Sequence, residues 1–169
     1  MEVSLRGYQQ EAVDAVVKYL LKKKGNPLVA LPTGSGKSHV QAGLIKTLLD
    51  RWPNTTVMCL THVKELIQQN SEKMQMYMPG VGIGVYSAGL NRRELGYPIT
   101  FAGIQSIYNK DIAPPSLIII DECHLVPKSG QGMYRQFLER MLKAHPGLRV
   151  IGLTATPYRM RGGMLTGGK

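Results

Sequence analysis

Short apolar runs of strand length alternate with stretches of helical period along most of this chain, and that alternation restricts the fold to a few layered α/β architectures. Between Gln9 and Lys22 the apolar residues Ala12, Val13, Val16, Val17, Leu20 and Leu21 recur at helical spacing, and Lys22-Lys23-Lys24-Gly25 closes the pattern. Residues 27–31 then read as a strand, followed by a glycine-rich turn and a helix over 37–50. The alternation continues with a strand over 56–60, a helix over 63–78, strands over 99–102 and 117–120, a helix over 132–143 and a last strand over 149–153. These strands are continuously apolar, as in a parallel sheet covered on both faces. The expected fold is therefore a three-layer α/β/α domain with a mostly parallel sheet, occupying residues 1–158. The glycine-rich stretch 159–169 is expected to be a tail or linker.

Composition narrows the function classes. The chain has 169 residues, 43% of them apolar, enough for one domain with a real core. Lysine and arginine number 21 against 11 acidic residues, a formal charge of +10 that favours a polyanionic partner. The excess is spread along the chain, with no basic tail. No apolar run reaches the length of a membrane span, and Met1 to Arg6 lacks a signal peptide's apolar core. A cytoplasmic protein is the default expectation. Cys59 and Cys123 stand in no zinc-site or redox spacing, so neither a structural metal nor a disulfide is expected.

The chemistry concentrates at two strand ends. Leu31-Pro32-Thr33-Gly34-Ser35-Gly36-Lys37-Ser38 follows an apolar strand and opens a helix, the context a phosphate-binding loop requires. Gly34 and Gly36 let the backbone turn so that amides point at an anion, and the helix adds its positive N-terminal end. Lys37 can reach the β and γ phosphates, and the Ser38 hydroxyl can ligate Mg²⁺. Leu31 stands where the general pattern has its first glycine. Asp121-Glu122 closes the run 117–120, at the sheet edge where ligands bind in parallel sheets. Asp121 suits a water-mediated Mg²⁺ contact, and Glu122 suits the orientation of an attacking water.

His124 completes Asp-Glu-Cys-His, and with the loop this tetrapeptide resembles motif II of superfamily 2 helicases and translocases, the DEAD/DEAH-like group. Other stretches agree in order. Leu5-Arg6-Gly7-Tyr8-Gln9-Gln10 is similar to the adenine-reading Q-type element, in which the Gln9 carboxamide would pair with the adenine edge and Arg6 would lie near the base. Thr61-His62-Val63-Lys64-Glu65-Leu66 is similar to motif Ia and Gly103-Ile104-Gln105-Ser106 to the Ib or Ic region. In this superfamily both contact the nucleic-acid backbone, which points to Thr61, His62, Lys64, Gln105 and Ser106. Gly152-Leu153-Thr154-Ala155-Thr156-Pro157 resembles motif III, so Thr154 and Thr156, with His124, would couple the γ-phosphate to the nucleic-acid track. Taken together, the motifs most resemble the bacterial RadD (YejH) type.

The resemblance implies the N-terminal RecA-like lobe of an ATP-dependent motor that takes ATP, Mg²⁺ and nucleic acid, DNA more than RNA. Thr33, Gly34, Ser35, Gly36, Lys37 and Ser38 would cradle the phosphates, with Arg6 and Gln9 at the base. Lys37, Asp121 and Glu122 would carry catalysis, and Ser38 and Asp121 the metal. Motors of this group use a second RecA-like domain bearing motifs IV to VI and an arginine finger. A chain ending soon after motif III is expected to hydrolyse ATP slowly by itself, since such fingers contribute on the order of a thousandfold. Taken without the resemblance, the residues also suit another P-loop class, such as a kinase or nucleotide-gated switch, or a basic nucleic-acid-binding module without turnover.

Overall fold

A computed structural model describes residues 5–32, 36–122 and 128–156, the side chains of Pro32, Ser129 and Thr156 aside. Helix α1 (Gly7–Lys22) opens two residues before its apolar period begins, because the Gln9 side-chain oxygen accepts the Arg6 backbone N–H at 2.9 Å and satisfies the helix entry. Its buried face is Ala12, Val13, Val16 and Val17. Strand β1 (Leu28–Pro32) leads to α2 (Lys37–Arg51), β2 (Val57–Thr61) to α3 (Lys64–Tyr77), and β3 (Ile83–Ser87) through a 3₁₀ turn (Ala88–Leu90) to β4 (Arg92–Arg93). Then come β5 (Ile99–Gly103), the short α4 (Ile104–Ile107), β6 (Leu117–Ile120), α5 (Lys128–Ala144) and β7 (Arg149–Thr156).

The strands form one sheet of order β1-β7-β6-β2-β5-β3-β4, parallel throughout except for the β3–β4 edge pair. Side-chain alternation sorts the core into two layers. Cys59, Phe101, Ile119, Ile151 and Leu153 face α1, α2 and α3, where Val13, Leu44, Ile45 and Met74 meet them. Met58, Leu60, Ala102 and Ile118 face the other way, onto Ile104 and Ile107 of α4 and Phe137 and Met141 of α5. Each strand is apolar on both faces because both are covered.

The chain leaves β1 and enters β2 three places along the sheet, with β7 and β6 between them. In a parallel sheet such a crossover sets a crevice at the C-terminal strand ends, here those of β1 and β6, beside the start of α2 and the acidic pair.

The structure departs from the periodicity at several places, the short β4 and α4 among them. Strand β3 was not expected: Gly82 and Gly84 break its apolar pattern, and Gly84 is needed because a Cβ there would lie 2.6 Å from the Tyr97 ring. Helix α5 begins at Lys128 rather than 132, since Gly130 and Gly132 mask its first turn. Strand β7 continues to Thr156 because Thr154, Ala155 and Thr156 pair with Ala30, Leu31 and Pro32. The expected boundary at 158 and the tail 159–169 lie outside the described residues. Among those described, no helix is long and apolar enough to cross a membrane.

Arg149, at the start of β7, ties the sheet to α1. Its guanidinium donates to the carbonyls of Leu20, Lys23 and Gly25 at 3.1, 2.9 and 2.8 Å, capping the helix end with a positive charge. The lysine run at 22–24 is exposed and leaves that task to Arg149. Arg149→Leu is expected to lower unfolding free energy by about 2 kcal/mol, the worth of losing charged hydrogen bonds to partly buried carbonyls. Urea denaturation measures it, and amide exchange should quicken over the last turn of α1.

Candidate functional site

Two strand ends and one helix start converge on the Lys37 side chain. Gly36 precedes α2 with φ of 78°, a left-handed conformation that glycine adopts without strain, and it points the helix start at the crevice. A Cβ on Gly36 would run into the Gln9 amide nitrogen, so Gln9 of α1 sits directly on this turn. From the first turn of α2 the Lys37 ammonium pairs with Asp121 Oδ1 and, at 3.0 Å, with Glu122 Oε2.

Asp121 is held at the end of β6 by its N–H, which donates to the Leu60 carbonyl at 2.8 Å. Glu122 turns out of the strand with φ of 55°, a left-handed conformation that costs a β-carbon-bearing residue about 1–2 kcal/mol. That turn brings its carboxylate to the same ammonium as Asp121. Burial alone would lower the Lys37 pKa, but the charge of Asp121, and hydrogen bonds to Asp121 and Glu122, outweigh it and leave the amine above its ordinary range. Lys37 is therefore a fixed cation between two anions.

Further groups complete the site that sequence reasoning did not name. Asn70 of α3, buried, donates its Nδ2–H to Asp121 Oδ2 at 2.7 Å. His39, next to the loop on α2, bridges α2 and α3: Lys73 donates to its Nε2 at 3.3 Å, which leaves Nδ1–H to donate to the Tyr77 hydroxyl at 3.0 Å. The sequence signal for Asn70 is a polar residue on the apolar stripe Ile67, Asn70, Ser71, Met74 and Tyr77.

A separate groove of about 530 Å³ opens on the same sheet edge beyond β2. It gathers His62, Lys64, Gln105 and Ser106 from the expected set and adds Ser87, Arg93, Asn109 and Lys110. Its described lining contains three permanent cations and no carboxylate. The walls are braced from within. Gln105 donates to the His62 carbonyl at 3.2 Å, Ser106 Oγ accepts the Ala88 N–H at 2.9 Å, and Arg140 of α5 donates to the carbonyls of Tyr108 and Lys110.

Thr61 is placed differently from its neighbours. It is buried, and its hydroxyl accepts the Val63 N–H at 3.2 Å, shaping the turn into α3 instead of lining the groove. Thr154 is buried in β7, paired with Ala30 of β1 and two residues past Gly152, where the pairing of β7 with β6 ends. Arg6 is exposed and Gln9 buried at the start of α1, and Ser38 follows Lys37 in the first turn of α2. Thr33, Gly34, Ser35 and His124 lie outside the described residues, as does the side chain of Thr156.

Residues 2–159 match the family model described as "Type III restriction enzyme, res subunit". The chain belongs to that family. Among curated relatives, a Saccharomyces cerevisiae protein named as an ATP-dependent helicase, IRC3, is 29% identical over 163 residues, covering 90% of this chain and 23% of the relative. An African swine fever virus protein named as an ATP-dependent RNA helicase, QP509L (isolate Pig/Kenya/KEN-50/1950), is 26% identical over 170 residues, covering 96% and 31%. The chain thus spans about a quarter to a third of these relatives' length. In structure it is similar to the UvsW helicase from bacteriophage T4, with a TM-score of 0.70 at 18% identity over 90% of this chain and 52% of that one. It is also similar to the Sulfolobus solfataricus SWI2/SNF2 ATPase core in complex with dsDNA, with a TM-score of 0.66 at 17% identity, covering 93% and 33%. The fold is the RecA-like one of these motor cores.

His39 generates a pH prediction. Burial, then the Lys73 and Arg6 charges, push its imidazole below the ordinary value of 6.5. The unfolded chain then takes up this proton before the folded one does, so native stability falls as pH drops below 6.5 toward the depressed value. Thermal melts between about pH 7.5 and about 5 should show that extra loss in the wild type and a smaller one in His39→Gln.

Proposed function

We propose that this chain is the nucleotide-binding lobe of an ATP-dependent nucleic-acid translocase or helicase, with Mg-ATP at the β1 and β6 ends and nucleic acid in the adjoining groove. The observation that carries the reading is the clasp of Lys37 by Asp121 and Glu122 at the helix start that follows Gly36. The donor set fits a metal-bound triphosphate: two carboxylates, a hydroxyl on the first turn of α2, the Lys37 ammonium and a helix N-terminus. Ser38 and Asp121 would hold Mg²⁺, which when bound neutralises charge on the phosphate oxygens.

The chain's own residues then divide the work. Lys37 exchanges its carboxylate partners for the β and γ phosphates, where its charge offsets the negative charge of the transferred group. Asp121, released on one oxygen, would be able to hold the metal. Glu122, freed from Lys37, orients the attacking water and draws its proton. Thr33, Gly34, Ser35 and Gly36 would supply amides to the phosphates. Gln9, seated on Gly36, would read the base beside Arg6. Thr154 and Thr156, with His124, would report hydrolysis to the nucleic-acid track.

The groove supports a backbone-reading mode. Lys64, Arg93 and Lys110 suit phosphates, and Gln105 and Ser106 hold the walls in place without reading a base. DNA is proposed over RNA on the RadD-type motif wording, and the motor's second RecA-like lobe would supply the arginine finger. These 169 residues assayed alone should bind Mg-ATP and turn it over slowly.

Lys37→Ala is expected to weaken ATP binding by at least about a hundredfold, read by fluorescent-nucleotide titration, with helical circular dichroism retained. Unchanged affinity would overturn the site assignment. Glu122→Gln should keep nucleotide affinity within about twofold and abolish residual phosphate release. In the groove, Arg93→Ala and Lys110→Ala should each reduce the slope of log affinity against log salt by about one, measured with single-stranded DNA and RNA of equal length. Salt slopes that match the wild type would place nucleic acid elsewhere.

A further inference from the structure

We infer that Asn70 is a positioning residue that fixes the Asp121 carboxylate and ties it to occupancy of the groove at the start of α3. The inference rests on the Mg-nucleotide reading of that carboxylate. Its two oxygens have different partners: Lys37 takes Oδ1 on the crevice side, and Asn70 Nδ2 donates to Oδ2 at 2.7 Å from the α3 side. Asn70 and Asp121 are 5% and 3% exposed, so water has little access to substitute for either group.

When Lys37 leaves for phosphate, Oδ1 is freed for the metal shell while Oδ2 keeps its amide donor. Asn70 then sets the plane of the carboxylate at the moment the metal needs it. Without that donor, Asp121 is free to rotate about its terminal torsion and a buried oxygen loses its partner.

Placement on α3 gives the same amide a second consequence. Lys64, at the first position of α3, lines the groove, and Asn70 lies six residues on, roughly 9 Å along a rigid helix. A polyanion that draws Lys64 moves the helix that carries the Asp121 donor. The contact also meets the loop helix: Gln41 of α2 lines the same small buried space with Asn70 and Asp121, and its Nε2 has no partner among the described residues.

The test uses the whole chain. Binding of a fluorescent ATP analogue is titrated with Mg²⁺ for wild type, for Asn70→Leu, which keeps the shape and removes the donor, and for Asn70→Ser, a smaller change should the leucine variant fail to fold. Metal-free nucleotide affinity should stay within about twofold of wild type, while the Mg²⁺ concentration for half-maximal enhancement rises about tenfold. A saturating single-stranded oligonucleotide should shift that midpoint in wild type and leave it unmoved in the variants, at unchanged oligonucleotide affinity. Variants with the wild-type midpoint and oligonucleotide response would overturn the inference, and a wild-type midpoint indifferent to oligonucleotide would overturn the coupling. A wild type whose nucleotide binding ignores Mg²⁺ would instead remove the parent reading, a result visible before any variant is made.

Discussion

A single ammonium shared by two carboxylates organises the crevice. The side chains of Lys37, Asp121 and Glu122 are 14%, 4% and 17% exposed, so the three groups interact with little screening by water. One ammonium thus serves two carboxylates, a donor set on which a cation and an anion can both act. An incoming cation is attracted to it, whereas a bare polyphosphate gains only by detaching Lys37. A metal-bound triphosphate brings both parts, the cation for the carboxylates and the anion for the amine, so a single ligand satisfies every group that its entry separates.

The geometry of that cluster depends on backbone conformations that are costly elsewhere in a protein. Gly36 in the left-handed region turns α2 toward the crevice, and Glu122 in the same region turns its carboxylate toward Lys37. The first is free for glycine, but the second is strained and persists because the ion pair and the strand behind it hold it there. Gln9 adds a constraint from α1, since its amide closes over Gly36 while its oxygen serves the Arg6 N–H. Arg149 in turn holds the far end of α1 on the sheet. The start of α1 and the glycine turn that opens α2 are thus joined through packing.

Much of this was legible in the sequence because strand ends in a parallel sheet have predictable chemistry. The bounds of β6 and the start of α2 follow from apolar runs stopped by Asp121 and by a glycine turn. Strand β3 was not legible, since its identity comes from pairing with β5 and from the Tyr97 ring lying on Gly84, a contact distant from any local pattern. The two-residue β4 is an exposed arginine pair that reads as surface charge. Asn70 and His39 escaped for a related reason. Each makes its contact across two elements, and only the packing of α3 on α2 and the sheet reveals what the polar side chain meets. Thr61 shows the opposite limit: its motif is visible, yet the hydroxyl is spent on the Val63 N–H inside the turn.

The basic character of the chain acquires meaning once its charges are sorted by place. The carboxylates at 121 and 122 are drawn into the crevice and paired, while Lys64, Arg93 and Lys110 stand along a groove without acidic neighbours among its described residues. On the proposed reading nucleotide and polyanion would engage one sheet edge at separate positions, with β2 and α3 between the two. Any displacement of α3 by the polyanion is felt at Asp121 because the helix cannot bend over so short a length. The proposed coupling requires no long pathway of side chains: one helix carries Lys64 at its first turn, on the groove, and Asn70 at its second, on Asp121.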